Sequence, residues 1–160
     1  MINQTSKIAA LKQNVEELGV FFETTGLTPM ESRVFALLLL SDPPERCFND
    51  IWTFLSASKN SGSVALRRLA ETGKVTSQPG AVNRRRAFRA DPAGWLQHLE
   101  AALAKASPLA AVLDHVVRQR TVDPPSDFSK GLTHVRDFLH FVELETADLY
   151  ERRRKITNDN

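Results

Sequence analysis

Apolar residues recur along this chain mostly at intervals of three and four, the repeat of an amphipathic helix. Ile8, Leu11, Val15, Leu18 and Phe22 form one stripe and predict a first helix over about residues 6–24, closed by Gly26. Thr28-Pro29-Met30-Glu31 has the form of a capping box, with Thr28 as N-cap, Pro29 at the first helical position and Glu31 at the third. The helix it opens, about 29–41, is apolar on most faces through Val34–Leu40 and is expected at the centre of the fold; Asp42-Pro43-Pro44 ends it. A short helix near 49–55 should turn Ile51, Phe54 and Leu55 inward.

After the turn Ser56-Ala57-Ser58, Ser58 can cap a further helix to about Thr72, with Ala65, Leu66 and Leu69 inward and Gly73 as its stop. The period then changes. Lys74–Gln78 and Arg86–Ala90 have strand character around a segment of turn formers and charge, a β-hairpin with a basic tip in which Phe88 anchors the strand. Asp91-Pro92 opens another helix, and Ser107-Pro108 repeats the pattern, so the span 92–120 is expected as two helical pieces or one kinked helix. Residues 121–130, with Pro124-Pro125, read as a linker. The last helix, about 130–154, places Leu132, Val135, Leu139, Val142, Thr146 and Leu149 on one stripe and ends in Arg152–Lys155, which suits a helix C-terminus.

The fold class expected from this order is mainly α: a winged helix-turn-helix, a three-helix core plus a two-stranded β-wing, flanked by terminal helices. The expected domains are 1–26, an N-terminal dimerisation helix; 27–91, the DNA-binding domain; and 92–160, a C-terminal helical dimerisation region. A small winged domain cannot bury both outer stripes. Leu11, Val15, Leu18 and Phe22, with Leu132, Val135, Leu139, Val142 and Leu149, are therefore the expected dimerisation residues.

Charge sharpens the picture. The 160 residues carry a net +2, but residues 57–90 hold eight Lys/Arg against one acid, Glu71, a local +7 that leaves −5 for the remainder. That concentration predicts a local face for a polyanion. The helix opening at Ser58 is small and polar in its first half, which lets it enter a DNA major groove, and its N-terminal N–H groups suit a phosphate. Lys59 and Asn60 can read base edges, and Ser58, Ser61 and Ser63 can contact bases or phosphates. Arg67 and Arg68 are placed for phosphate, and Arg84, Arg85 and Arg86 for the flanking backbone or minor groove. The expected partners are double-stranded DNA and a second copy of the chain; the same basic face could instead take an acidic protein.

Residues 22–91 resemble the winged-helix core of MarR-type transcriptional regulators, with the GbsR-like branch the nearest match. The residues that carry the resemblance are the apolar Arg33–Leu40 helix, Ile51…Leu55, Ser58-Lys59, Leu66-Arg67-Arg68-Leu69, Gly73-Lys74-Val75 and the arginine-rich wing closing on Phe88. The resemblance implies a homodimeric repressor or activator with dimer contacts from both terminal helices. It also implies a small-molecule effector of unspecified identity. A choline-type ligand would need an aromatic cage, to which Trp52, Trp95, Phe21, Phe22, Phe48 and Tyr150 could contribute; core packing explains each of them as well. One position departs from the family pattern. Gly62 stands where an apolar residue packs under the recognition helix, and glycine within a helix costs roughly 1 kcal/mol against alanine.

Other chemistry is unsupported. A single cysteine, Cys47, gives no internal disulfide and no paired-thiolate zinc site, and reads as an inert thiol. His98, His115, His134 and His140 lack metal-ligand spacing, so no metal and no cofactor are expected. There is no Gly-rich phosphate loop, nucleophile elbow or carboxylate pair in a motif, so the chain is not expected to be an enzyme. No stretch predicts a membrane span, and the first residues lack a secretory pattern, so a cytoplasmic location is expected.

Overall fold

The capping box at Thr28 is formed. In the computed structural model, which describes residues 4–79, 85–120 and 124–158, the Glu31 N–H donates to Thr28 Oγ1 at 3.3 Å, and the Thr28 N–H donates to Glu31 Oε2 at 2.8 Å. This reciprocal pair satisfies two otherwise orphaned donors and fixes where α2 (Pro29–Leu40) begins. Before it lies α1 (Gln4–Thr24), followed by Gly26 at φ +94°, a left-handed stop that glycine takes without strain. Val34, Phe35, Ala36, Leu37 and Leu38 of α2 are all buried, so α2 is the central helix, as its run of apolar residues demands.

Beyond α2 come β1 (Arg46–Cys47), α3 (Phe48–Leu55), α4 (Lys59–Glu71), β2 (Val75–Pro79) and β3 (Arg86–Ala90). The strands form one antiparallel sheet in the order β1-β3-β2. Val75 pairs with Ala90 and Pro79 with Arg86 across the hairpin, while Arg46 and Cys47 pair with Phe88 and Ala87. The fold is thus a winged helix-turn-helix in which a third, two-residue strand extends the expected two-stranded wing. At the end of α4, Gly73 adopts φ +70°, and its carbonyl oxygen lies where a Cβ at Gly94 would stand. The start of α5 (Pro92–Ala104) can approach this turn only because residue 94 has no side chain. The Asp91 N–H donates to the Lys74 carbonyl at 2.8 Å, which ties the end of the wing to its beginning.

Packing divides the chain into two compact units, Met1–His98 and Leu99–Asn160. In the first, α1 packs on α2, so the N-terminal helix is integral to the winged unit. Val15 and Phe22 are buried in the core and Leu11 and Leu18 pack against it. This revises one expectation: the α1 stripe is covered within the chain because α2 offers an apolar face to it. In the second unit, α6 (Ala106–Gln119) and α7 (Asp127–Asn158) pack together. His140 links to Asp114 at 2.9 Å and to Glu143 at 3.4 Å, and Ser107 donates to Glu143. Among the described residues, α7 has no fully buried side chain, and Val135, Phe138, Phe141, Leu149 and Ile156 are exposed on it. No helix among the described residues is long and apolar enough to cross a membrane.

Candidate nucleic-acid interface

The α4 helix is presented by what lies beneath it. Gly62, Ala65, Leu66 and Leu69 form its buried face. Lys59, Asn60, Ser61, Ser63, Arg67 and Arg68 are exposed, so the structure brings these polar and basic side chains onto the outward surface of one helix. At its start the Ser61 N–H donates to Ser58 Oγ at 3.3 Å, and the two hydroxyls lie 2.7 Å apart. Ser58 and Ser61 therefore cap the helix as well as facing outward. The turn into α4 passes through Ser56, a non-glycine residue in the left-handed region at φ 51°. That conformation sets the angle between α3 and α4.

Gly62 is explained by Trp52. An added Cβ at residue 62 would fall inside the six-membered ring edge of the Trp52 indole, against Cζ3, Cη2 and Cε3. Trp52, only 4% exposed, fills with its indole the space under α4 in which a side chain at residue 62 would begin. Sequence reasoning missed this because it turned Phe54 and Leu55 inward; the structure buries Ile51 and Trp52 and leaves those two half-buried. The mid-helix glycine, ten residues after a tryptophan, was the available signal.

Four of the six aromatic residues expected as candidates for a ligand cage fall into two packed groups. Phe22, Phe35 and Trp95 pack ring to ring at 4.9–6.1 Å. Trp52, Phe48 and Phe88 form a second row, with centroids 4.9 and 6.3 Å apart. In the second unit, the Tyr150 hydroxyl donates to the Glu100 carbonyl at 3.3 Å. Phe21 is exposed. Among the described residues, no three His, Cys, Asp or Glu side chains group as metal ligands.

The +7 stretch is less uniform in space than in sequence. Arg68 pairs with the 6%-exposed Glu31 at 3.5 Å, Arg67 with Glu71 at 3.9 Å, and Arg89 with Glu45 at 3.7 Å. Lys74 is buried, and that burial lowers its pKa against an opposing pull from Glu31. Lys59, Arg85 and Arg86 have no ion pair among the described residues, and the last two stand at the wing end of β3. Arg84, also assigned to DNA, lies outside the described residues. Between α4 and the wing runs a cleft of about 520 Å³, lined by Phe48, Leu66 and Phe88 with Arg67 and Arg86.

No family model matches the chain. It is similar to the HTH-type transcriptional regulator MmpR5 of Mycobacterium tuberculosis, at 26% identity over 99% of this chain and 96% of that protein. Among solved structures, one described as a transcriptional regulator superposes with a TM-score of 0.67 at 27% identity, covering 91% of this chain and 99% of that one. Apo MarR of E. coli aligns more loosely, with a TM-score of 0.43 and 16% identity over 62% of this chain and 74% of that one. The first two of these are named as transcriptional regulators, and none of the three as GbsR-like. The chain has a winged helix-turn-helix fold and is similar over nearly its whole length to an HTH-type transcriptional regulator and to a solved transcriptional regulator.

Proposed function

We propose that the protein is a sequence-specific, DNA-binding transcriptional regulator that acts as a homodimer. The observation that carries this reading is the exposed polar and basic face of α4, supported from below by Trp52 and Leu66, beside a wing whose Arg85 and Arg86 have no described ion pair. In this reading α4 enters the major groove, Lys59 and Asn60 meet base edges, Ser58, Ser61 and Ser63 meet base edges or phosphates, and Arg67 meets phosphate. Arg68 contributes less because Glu31 already holds it. The wing meets the flanking backbone or minor groove. The site of action is then the cytoplasm.

A second copy would meet the exposed apolar faces: Phe138, Phe141 and Leu149 on α7, and Val20 and Phe21 on the outward side of α1. Of the residues assigned to dimerisation from sequence, Val135 and Leu149 are exposed, while Leu132, Leu139 and Val142 are half-buried. Two winged units in such a dimer would address half-sites about 34 Å apart.

The test is duplex binding across a salt series, with each phosphate contact adding about 0.9 to the slope of log affinity against log salt. Measurable binding at low salt with a selected site above mixed-sequence DNA supports the reading. Capture of an acidic protein without any affinity for duplex DNA favours the alternative, a winged-helix interaction module using the same face.

A further inference from the structure

We propose that Trp52 is a positioning residue for DNA recognition, and that Gly62 is the opening in α4 that admits it. This rests on the DNA-binding reading and deepens it. Three observations converge. The indole occupies the volume in which a side chain at residue 62 would begin. Its ring is held edge-on by Phe48, with centroids 4.9 Å apart and planes at 83°. Phe48 in turn packs against Phe88 of β3, with centroids 6.3 Å apart. A continuous aromatic row thus runs from beneath the first half of α4 to the middle strand of the wing. The two elements offered to DNA share one support.

The way the indole is held gives this row its character. Trp52 Nε1 is buried with no hydrogen-bond partner among the described residues. Packing against Phe48 on one side and the Gly62 backbone on the other sets the ring's place and, through it, the height of α4 above α3. A planar side chain with two rotatable bonds transmits that position with little slack. Lys59, Asn60, Ser61 and Ser63 flank Gly62 on the same stretch of helix. A shift of the helix at residue 62 therefore moves the base-facing groups first. Arg85 and Arg86 stand beyond Phe88 at the far end of the row and are displaced less. Trp52 should govern discrimination between sequences more than affinity for DNA in general.

The experiment measures full-length wild type, Gly62→Ala, Trp52→Phe and the double variant on two probes. These are the duplex that wild type selects from a random library, and a mixed-sequence duplex. Val34→Ala, a buried change in α2 away from the row, controls for loss of stability. The expected result is a tenfold or larger drop in the specificity ratio for Gly62→Ala with the salt slope unchanged. The double variant, in which phenylalanine withdraws the ring edge that meets the new methyl, should recover most of that drop. Wild-type discrimination in Gly62→Ala would overturn the proposal. So would a double variant no better than Gly62→Ala, or an equal loss in Val34→Ala. A wild type that binds no duplex overturns the function reading and this inference together; a wild type that selects a site while the variants keep the same preference overturns this inference alone.

Discussion

Trp52 lies beneath Gly62 so closely that the two residues together make one side chain's worth of packing under α4. On an exposed helix, replacing glycine by alanine gains roughly 1 kcal/mol. Here the added methyl has to displace a buried, rigid ring, and overpacking of this kind costs about 1–3 kcal/mol. Gly62→Ala is therefore expected to lower the denaturation midpoint. A variant that melts above wild type contradicts the interlock.

Glu31 joins two parts of the first unit. It completes the cap of α2 and stands 3.5 Å from Arg68 on α4. Glu31→Ala is expected to destabilise by about 1–2 kcal/mol, most of it from the lost cap. Arg68 is more than half exposed, so its ion pair adds little. Glu31→Gln keeps an acceptor for the Thr28 N–H and should lose less. Equilibrium unfolding of the two variants measures the difference; equal losses would show that the charge, not the cap, carries the effect.

The arginines of the basic stretch should separate in a salt titration. In the proposed complex with DNA, Arg85→Ala or Arg86→Ala should reduce the slope of log affinity against log salt by about 0.9 each. Arg89→Ala should leave it unchanged, because Arg89 is turned to Glu45. An Arg89 variant that loses as much slope as the Arg86 variant would place the wing differently on DNA.

His140 gives the second unit a pH dependence. Its Nε2 lies 2.9 Å from Asp114 and its Nδ1 3.4 Å from Glu143, while Arg136 stands 3.7 Å from Asp114 and Ser107 bonds to Glu143. The hydrogen bond to Asp114, helped by Glu143, raises the pKa of the imidazole. A raised folded-state pKa means the protonated form is favoured by folding. The stabilisation is complete below the unfolded value of about 6.5 and is lost as pH rises through the higher folded value. Thermal melts across that window should decline for wild type and flatten for His140→Gln. A rise in stability with pH that depends on His140 would reverse the assignment.

The exposed face of α7 predicts an assembly defect. Phe138 is 62% exposed and Phe141 59%, more apolar surface than a lone helix face normally offers to water. If the protein forms the proposed dimer through this face, Phe138→Glu with Phe141→Glu should shift sedimentation from dimer to monomer while the circular dichroism of the chain is retained. A double variant that remains dimeric puts the contact elsewhere.

The elements were legible where local chemistry decides them. Thr28 and Glu31, Ser58, Gly26 and Gly73 mark helix ends through bonds or backbone angles that span a few residues. Other features depend on partners far along the chain. Arg46–Cys47 is too short for an alternating pattern and is a strand only because β3 offers it an edge. The break between α5 and α6 falls at Lys105, leaving Pro108 in the first turn of α6, where a missing N–H does no harm. The α7 helix begins at Asp127, inside the expected linker. The acids that hold Arg68 and Arg89 lie far earlier in sequence, so a local count of charge could not discount those two residues.

The strand order places β3 in the middle, which leaves β1 and β2 as the outer strands of the sheet. One is two residues long, and the other is five residues long and ends in Pro79, which has no N–H to offer. Neither is a good template for adding a strand from another molecule. Under the proposed function, copies bound side by side on DNA would thus be protected from edge-to-edge aggregation of their sheets.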